Sequence, residues 1–362
     1  MVLGNQLRLA QSDFEALRDS LLRERVLHEL VAGEASLDRL AAGIGLQDTA
    51  ELDRRCRRWF DVEAARLRAE ALACGFDARR GGAWQIEQLP PAPQTCRALM
   101  ALRYMEEANL DKVVEVVETD PVLSARVLGL AGSAYYGARK VRDLKDAIGR
   151  VLGFDELIRV ATVLVARQAL APQDCPGFDL LALWTRSLAS GHALAELLAN
   201  TPAGRDGELL RLLGLFHELG LQALAHRAGP RLATLLRELD PSLDEASLRQ
   251  EELRRLGTTR HLTGALLLAR WGLPAEMVRA LRQLDQLLAD PTAPVPSAVM
   301  ALAVLSRLFR LRHAGLAIEH ELLALSGLLE RLGAACAPDA LAARLDAILE
   351  ARQQQAEALL LA

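Results

Sequence analysis

Apolar residues recur at helical spacing along most of the chain, and nowhere do apolar and polar residues alternate long enough to demand a sheet. The pattern is densest from Asn109 onward. Asn109 is suited to cap a helix carrying Val113, Val114, Val116 and Val117. Asp120-Pro121 is a second helix start, since Asp accepts from free N–H groups and Pro suits the first helical position. That helix carries Leu123, Val127 and Leu130 and stops near Gly137. Asp143 caps the next, and Gly153 breaks it. A helix over about 155–170 and a loop over 171–177 follow. Further helices are predicted at about 179–199, 207–226, 229–239, 245–256, 259–270, 275–289 and 297–312. A last helix covers about 340–361, with Leu341, Leu345, Ile348, Leu349 and Leu359 on a partial stripe. Such a stripe either packs on the domain or meets another chain.

The first 88 residues read as a separate, mainly helical unit. A helix runs from about Ser12 to Val31, a short one follows Ser36, and a longer one covers about 49–73. Gly75–Gly82 reads as a loop, and 83–89 as a short strand or an extended linker. The clearest boundary is Leu89-Pro90-Pro91-Ala92-Pro93, because proline pushes the residue before it out of the helical region. The expected organisation is therefore a unit over 1–88, a helical domain over 89–320 and a helical tail over 321–362.

Composition supports an all-α chain. Aromatics are only 4% and hydrophobic residues 51%, so Leu and Ala must fill the core, and both favour helix. The net charge of −4 and the pI near 6.0 argue against general attraction to nucleic acid or anionic lipid. Three lysines against forty arginines reads as a compositional skew. Cys56, Cys74, Cys96, Cys175 and Cys336 form no C-x-x-C pair, which fits free thiols in a reducing compartment and argues against structural zinc. The N-terminal residues carry no signal-peptide pattern, and the apolar stretch 291–306 is short and broken by Pro294 and Pro296. A cytoplasmic protein without a membrane span is expected.

Three groups of motifs fall in one order and spacing. The first runs from LPPAPQTCRAL through Asp120-Pro121-Val-Leu-Ser-Ala-Arg-Val-Leu and Ser133-Ala-Tyr-Tyr-Gly137 to Asp146-Ala-Ile-Gly-Arg-Val-Leu-Gly153. The second is Trp184-Thr-Arg-Ser187 followed by Phe216-His217-Glu218-Leu-Gly220. The third is His261-Leu-Thr-Gly264 ending at Trp271-Gly-Leu-Pro274. Together they resemble the HDOD domain, a relative of the HD metal-dependent phosphohydrolases, over about 89–290. The resemblance implies an all-α domain with a role in bacterial signalling or gene regulation. Residues 1–88 resemble no family.

Hydrolysis of the HD type needs His and Asp side chains from several helices around a divalent metal, which activates water. At the places that the resemblance assigns to ligands this chain departs. Arg186 stands for a histidine, and the His-Asp pair reads His217-Glu218. His261 is kept, and the later His-His falls in Arg282-Gln283-Leu284-Asp285. A guanidinium repels a cation. The expected site is therefore a degenerate pocket of Arg186, His217, Glu218 and His261, with no catalytic residue, metal or cofactor. His217, Glu218 and His261 are the weak metal candidates. Two arrangements are open: Arg186 takes the metal's place and pairs with Glu218, or it points to solvent. His217 and His261 sit in apolar runs, where a lone histidine is more often a satisfied core residue than a ligand.

Residues 36–46 also have the small residue (Ala41) and the turn glycine (Gly45) of a helix-turn-helix, followed by Arg54, Arg55, Arg57 and Arg58, which could meet phosphates. Against this, residues 1–88 hold 13 arginines and 15 acidic residues, a poor start for DNA affinity. The expectation is a non-catalytic regulator that binds protein partners or a small effector, such as a nucleotide. The alternatives are a residual HD-type phosphohydrolase acting on a nucleotide or phosphodiester, and a DNA-binding regulator through residues 36–58.

Overall fold

In the computed structural model, the residues described are 35–60, 62–73, 109–137, 141–271 and 275–361, with single positions 22, 23, 25, 26, 29, 30, 98, 99, 102 and 273. The proline-rich boundary, the segment 83–89 and the cysteines at 74 and 96 lie outside them. Every element among the described residues is a helix.

The N-terminal unit contains α1 (Leu37–Gly43), α2 (Thr49–Phe60) and α3 (Ala64–Ala73). Ser36 accepts from the Arg39 N–H, as expected of its cap position. The single helix expected over 49–73 is divided into α2 and α3, and the Asp53 carboxylate of α2 accepts from the Ala64 N–H that opens α3. Leu52, Cys56, Trp59 and Phe60 form the buried face of α2, which packs on a helix of the next domain (Ala275–Ala289, below).

The following helices are α4 (Leu110–Glu118), α5 (Pro121–Ala131), and α6 (Leu144–Asp146), which continues as a π-helix over Ala147–Leu152. Their predicted caps are in place. Asn109 accepts from Lys112 N, Asp120 from Val122 N and Leu123 N, and Asp143 from Asp146 N. Gly153 ends the π-helix with φ +77°, a conformation that a side chain would strain. Then come α7 (Phe154–Ala169), α8 (Leu180–Leu198), α9 (Gly207–Phe216), α10 (Leu219–Arg227), α11 (Gly229–Glu238), α12 (Glu245–Leu256), α13 (Arg260–Trp271) and α14 (Ala275–Ala289). The chain closes with α15 (Ser297–His313), α16 (Glu319–Arg331) and α17 (Pro338–Leu361).

Helix α8 is the axis of the domain. It is buried on almost every side and packs on α9, α15 and α17. A second layer sets α13 between α10 and α14. Two departures from the expected helices matter. The stretch expected as one helix over 207–226 is interrupted at His217-Glu218, where Glu218 takes φ −96°, ψ 0° and its carbonyl accepts from Leu221, an i to i+3 bond. Helix α16 falls largely within the tail expected to be helical over 321–362, although no separate helix was placed there; Leu322, Leu325, Leu328 and Leu329 form its buried stripe. The tail helix α17 lies against α8 and α7, covering Leu341, Leu345, Ile348 and Leu359. No helix of the described residues is long and apolar enough to cross a membrane.

Candidate functional site

The four residues singled out in the sequence come from three places in the bundle. Arg186 lies in the middle of α8, His217 and Glu218 at the break between α9 and α10, and His261 at the start of α13. Glycines allow these helices to approach closely. A Cβ on Gly214 would overlap the backbone of Gly191, and one on Gly220 would overlap the carbonyl oxygen of Arg260. The α8–α9 and α10–α13 crossings are thus contacts of backbone on backbone, and the second sits beside the site.

Arg186 and Glu218 form a buried ion pair. The guanidinium Nη2 lies 2.8 Å from Glu218 Oε2, and Nε lies 3.1 and 3.3 Å from Oε2 and Oε1. The Arg186 side chain is 12% exposed and that of Glu218 1%. Burial alone would raise the Glu218 carboxyl, but Arg186, His217 and Arg260 together outweigh it and hold the group below its ordinary range. Glu218 is therefore an anion, which the neighbouring Arg186 and Arg260 guanidiniums stabilise.

His217 is fully buried. Its Nδ1 lies 2.6 Å from the Gly214 carbonyl oxygen and its Nε2 3.2 Å from Ser306 Oγ. A carbonyl only accepts, so Nδ1 carries the proton and Nε2 accepts from the serine hydroxyl. His261 is also buried, and its Nε2 has no hydrogen-bond partner. Burial pushes both imidazoles down, His261 far down with the added fields of Arg260 and Arg249, so both are neutral.

This donor set does not fit a divalent cation. Glu218 is held by a guanidinium, both nitrogens of His217 are engaged, and only His261 Nε2 is a free donor. Among the described residues no group of three or more His, Cys, Asp or Glu side chains could hold a metal ion.

Among the described residues, three further buried carboxylates pair with arginines around this site, and sequence reasoning missed them. Asp285 on α14 accepts from Arg249 at 3.0 Å and from Thr259 Oγ1 at 2.6 Å. Glu252 accepts from both the side chain of Arg260, at 2.6 Å, and its main-chain N–H, at 3.0 Å. Glu245 accepts from Arg310 at 2.9 Å. Asp285 stands in the segment where the resemblance places the late histidines, so a carboxylate–arginine pair occupies that place too. The available signal was the buried-face register of Glu252 and Asp285, each flanked by leucines.

The arginines of α2 are less free than the sequence suggests. Arg55 pairs with Glu51 at 3.0 Å and lies over the Trp59 ring, 5.7 Å from its centroid, and Arg57 pairs with Glu63. Arg54 and Arg58 are exposed.

The neutral histidines imply a pH dependence with a definite sign. Their folded-state values lie below the ordinary 6.5, so the unfolded chain binds protons first as pH falls. Stability is full above about pH 6.5 and declines below it, by up to about 1.4 kcal/mol per pH unit for each histidine. Urea unfolding at pH 7.5, 6.5 and 5.5 should show this slope, and His261→Phe should flatten it.

Comparison with known proteins agrees with this architecture. The family model described as the HDOD domain matches residues 89–287. A protein of Marinobacter aquaeolei VT8, described as a signal transduction protein, is 27% identical. That comparison covers 89% of this chain and 71% of the other, with a TM-score of 0.62. An HDOD domain protein of unknown function from Geobacter sulfurreducens is 21% identical, covering 75% of this chain and 93% of the other, with a TM-score of 0.56. A Shewanella amazonensis SB2B protein described as a phosphohydrolase is 22% identical, covering 76% of this chain and 96% of the other, with a TM-score of 0.56. No curated protein matches the chain. The family match spans more than half of the sequence and takes in Arg186, the His217-Glu218 break and His261, and the chain belongs to the HDOD domain family.

Proposed function

We propose that the chain is a non-catalytic signalling regulator of the cytoplasm, whose HDOD domain binds protein partners or a small effector. The observation that carries this reading is the Arg186–Glu218 pair. A fixed guanidinium stands between the helices whose side chains would have to converge on a metal, and it neutralises the one carboxylate of the His-Glu pair. The cross-link between α8 and the α9–α10 break is then made by charge-assisted hydrogen bonds inside the bundle, with no ion needed. The likeness to a protein described as acting in signal transduction supports the regulatory role.

The test is metal content and turnover. Protein purified without chelators is expected to carry well under one divalent ion per chain, and to leave an activated phosphodiester intact with Mn²⁺ added. A stoichiometric metal, or hydrolysis abolished by Glu218→Gln, would overturn the reading in favour of a residual phosphohydrolase.

A further inference from the structure

A second polar site lies away from Arg186, where the tail helix closes on the HDOD core. A cavity of about 40 Å³ is lined by Glu156 and Arg159 of α7, His192 of α8, Arg211 of α9, and Arg352 and Gln355 of α17. At roughly 10–15 Å³ per water centre, that space holds about three waters, or one tetrahedral oxyanion in their place.

Its charges do not balance. The Glu156 carboxylate is fully engaged: Tyr136 and Gln355 donate to one oxygen and Arg159 to the other. Glu208, beside the cavity, pairs with Arg159 and, loosely at 3.6 Å, with Arg211. Three guanidiniums thus face two carboxylates. The one left over is Arg352. Its Nη1 donates to the neutral Gln355 amide at 2.8 Å, its Nε is buried with no acceptor, and it has no carboxylate partner among the described residues. A buried donor left open in this way costs free energy unless something accepts from it. Arg211, 39% exposed, and His192, 32% exposed, form the rim, while Glu156 and Arg159 form a closed floor.

We propose that this pocket binds a phosphoryl group, held by Arg352 from the tail helix and Arg211 from the core. Arginine forks match phosphate oxygens in pairs, and the excess positive charge suits an anion of this size. The ligand would bridge α17 and α9, so occupancy ties the tail, which lies beyond the matched family segment, to the domain. The inference stands apart from the reading of the Arg186 site.

Equilibrium dialysis of the full chain against labelled inorganic phosphate and, separately, a nucleoside 5′-monophosphate tests it. Direct binding is the readout, because phosphate strengthens many folds by exclusion from their surfaces. Saturable binding of one ligand per chain is expected, weakened at least tenfold by Arg352→Gln and by Arg211→Gln. Arg312→Gln, at a separate surface pair, should bind as the parent does. Tighter binding of the nucleotide than of phosphate identifies a larger effector whose remainder sits in the mouth; equal binding identifies free phosphate. Arg211→Gln changes a rim residue and keeps the test open should Arg352→Gln fail to fold. The proposal is overturned if neither ligand saturates the parent, if acetate competes as well as phosphate, or if the folded variants bind unchanged. None of these outcomes touches the metal test.

Discussion

Arg186→Met is expected to destabilise the chain by about 3–5 kcal/mol, the usual cost of stranding a buried charge. Glu218 is 1% exposed, and Arg186 supplies its ion pair. Without the guanidinium, Glu218 must either stay ionised in a poorly solvated site or take up a proton at neutral pH. The double variant Arg186→Met/Glu218→Met removes both charges at similar volume. It should recover most of the loss, since a buried pair replaced by apolar residues is often neutral or better. Urea denaturation of the parent, both single variants and the double completes the cycle. If the double variant loses as much as the singles combined, the two side chains are not a coupled pair. Acid sharpens the test. The folded-state value of Glu218 lies below the ordinary 4.5, so its contribution is complete above about pH 4.5 and is lost as pH falls through the lowered value. The gap between parent and Arg186→Met should therefore close in acid.

Gly220→Ala is expected to cost about 3 kcal/mol or more, at the upper end of what overpacking does. The added methyl would overlap the Arg260 carbonyl oxygen and crowd the Gly264 backbone, and neither can rotate away as a side chain could. Helices α10 and α13 must separate, and with them Glu218 and His261, which flank the crossing. Gly43→Ala is the matched control: a Cβ there meets nothing within 4 Å, and its effect should stay within about 1 kcal/mol, the size of the intrinsic helix preference for alanine. Equal effects from the two substitutions would show that the α10–α13 contact is not tight.

Much of the fold was legible because its signals are local. The caps at Asn109, Asp120 and Asp143 follow from side-chain oxygens placed before apolar runs. The helices from 229 to 289 follow from stripes whose period matches one turn. The break at His217-Glu218 escaped because Leu212 to Leu221 is apolar enough to continue as one helix. What interrupts it is a glutamate whose carboxylate is drawn toward Arg186, 32 positions earlier. The division into α2 and α3 escaped for a similar reason, since the Asp53 carboxylate reaches from one helix to the Ala64 N–H that opens the next. The motifs placed Arg186, His217, Glu218 and His261 in one neighbourhood. Spacing along a helix says little about which way a long side chain turns, so both a paired and a solvent-facing Arg186 were open.

The order of residues alone determined an all-helical chain, the positions of most helices and the presence of an arginine and a glutamate where the family resemblance places metal donors. These depend on backbone preference and on neighbours within one or two turns. Tertiary structure decided which charges meet. Arg186 with Glu218, Arg249 with Asp285 and Arg260 with Glu252 become partners only once helix packing brings them within reach. It also decided that Arg352 of the tail reaches a pocket of the core without a counter-charge. The physical reason is range. Helix propensity acts over a few residues, whereas the energy of a buried ion depends on every dipole and charge packed around it, and that environment exists only in the folded chain.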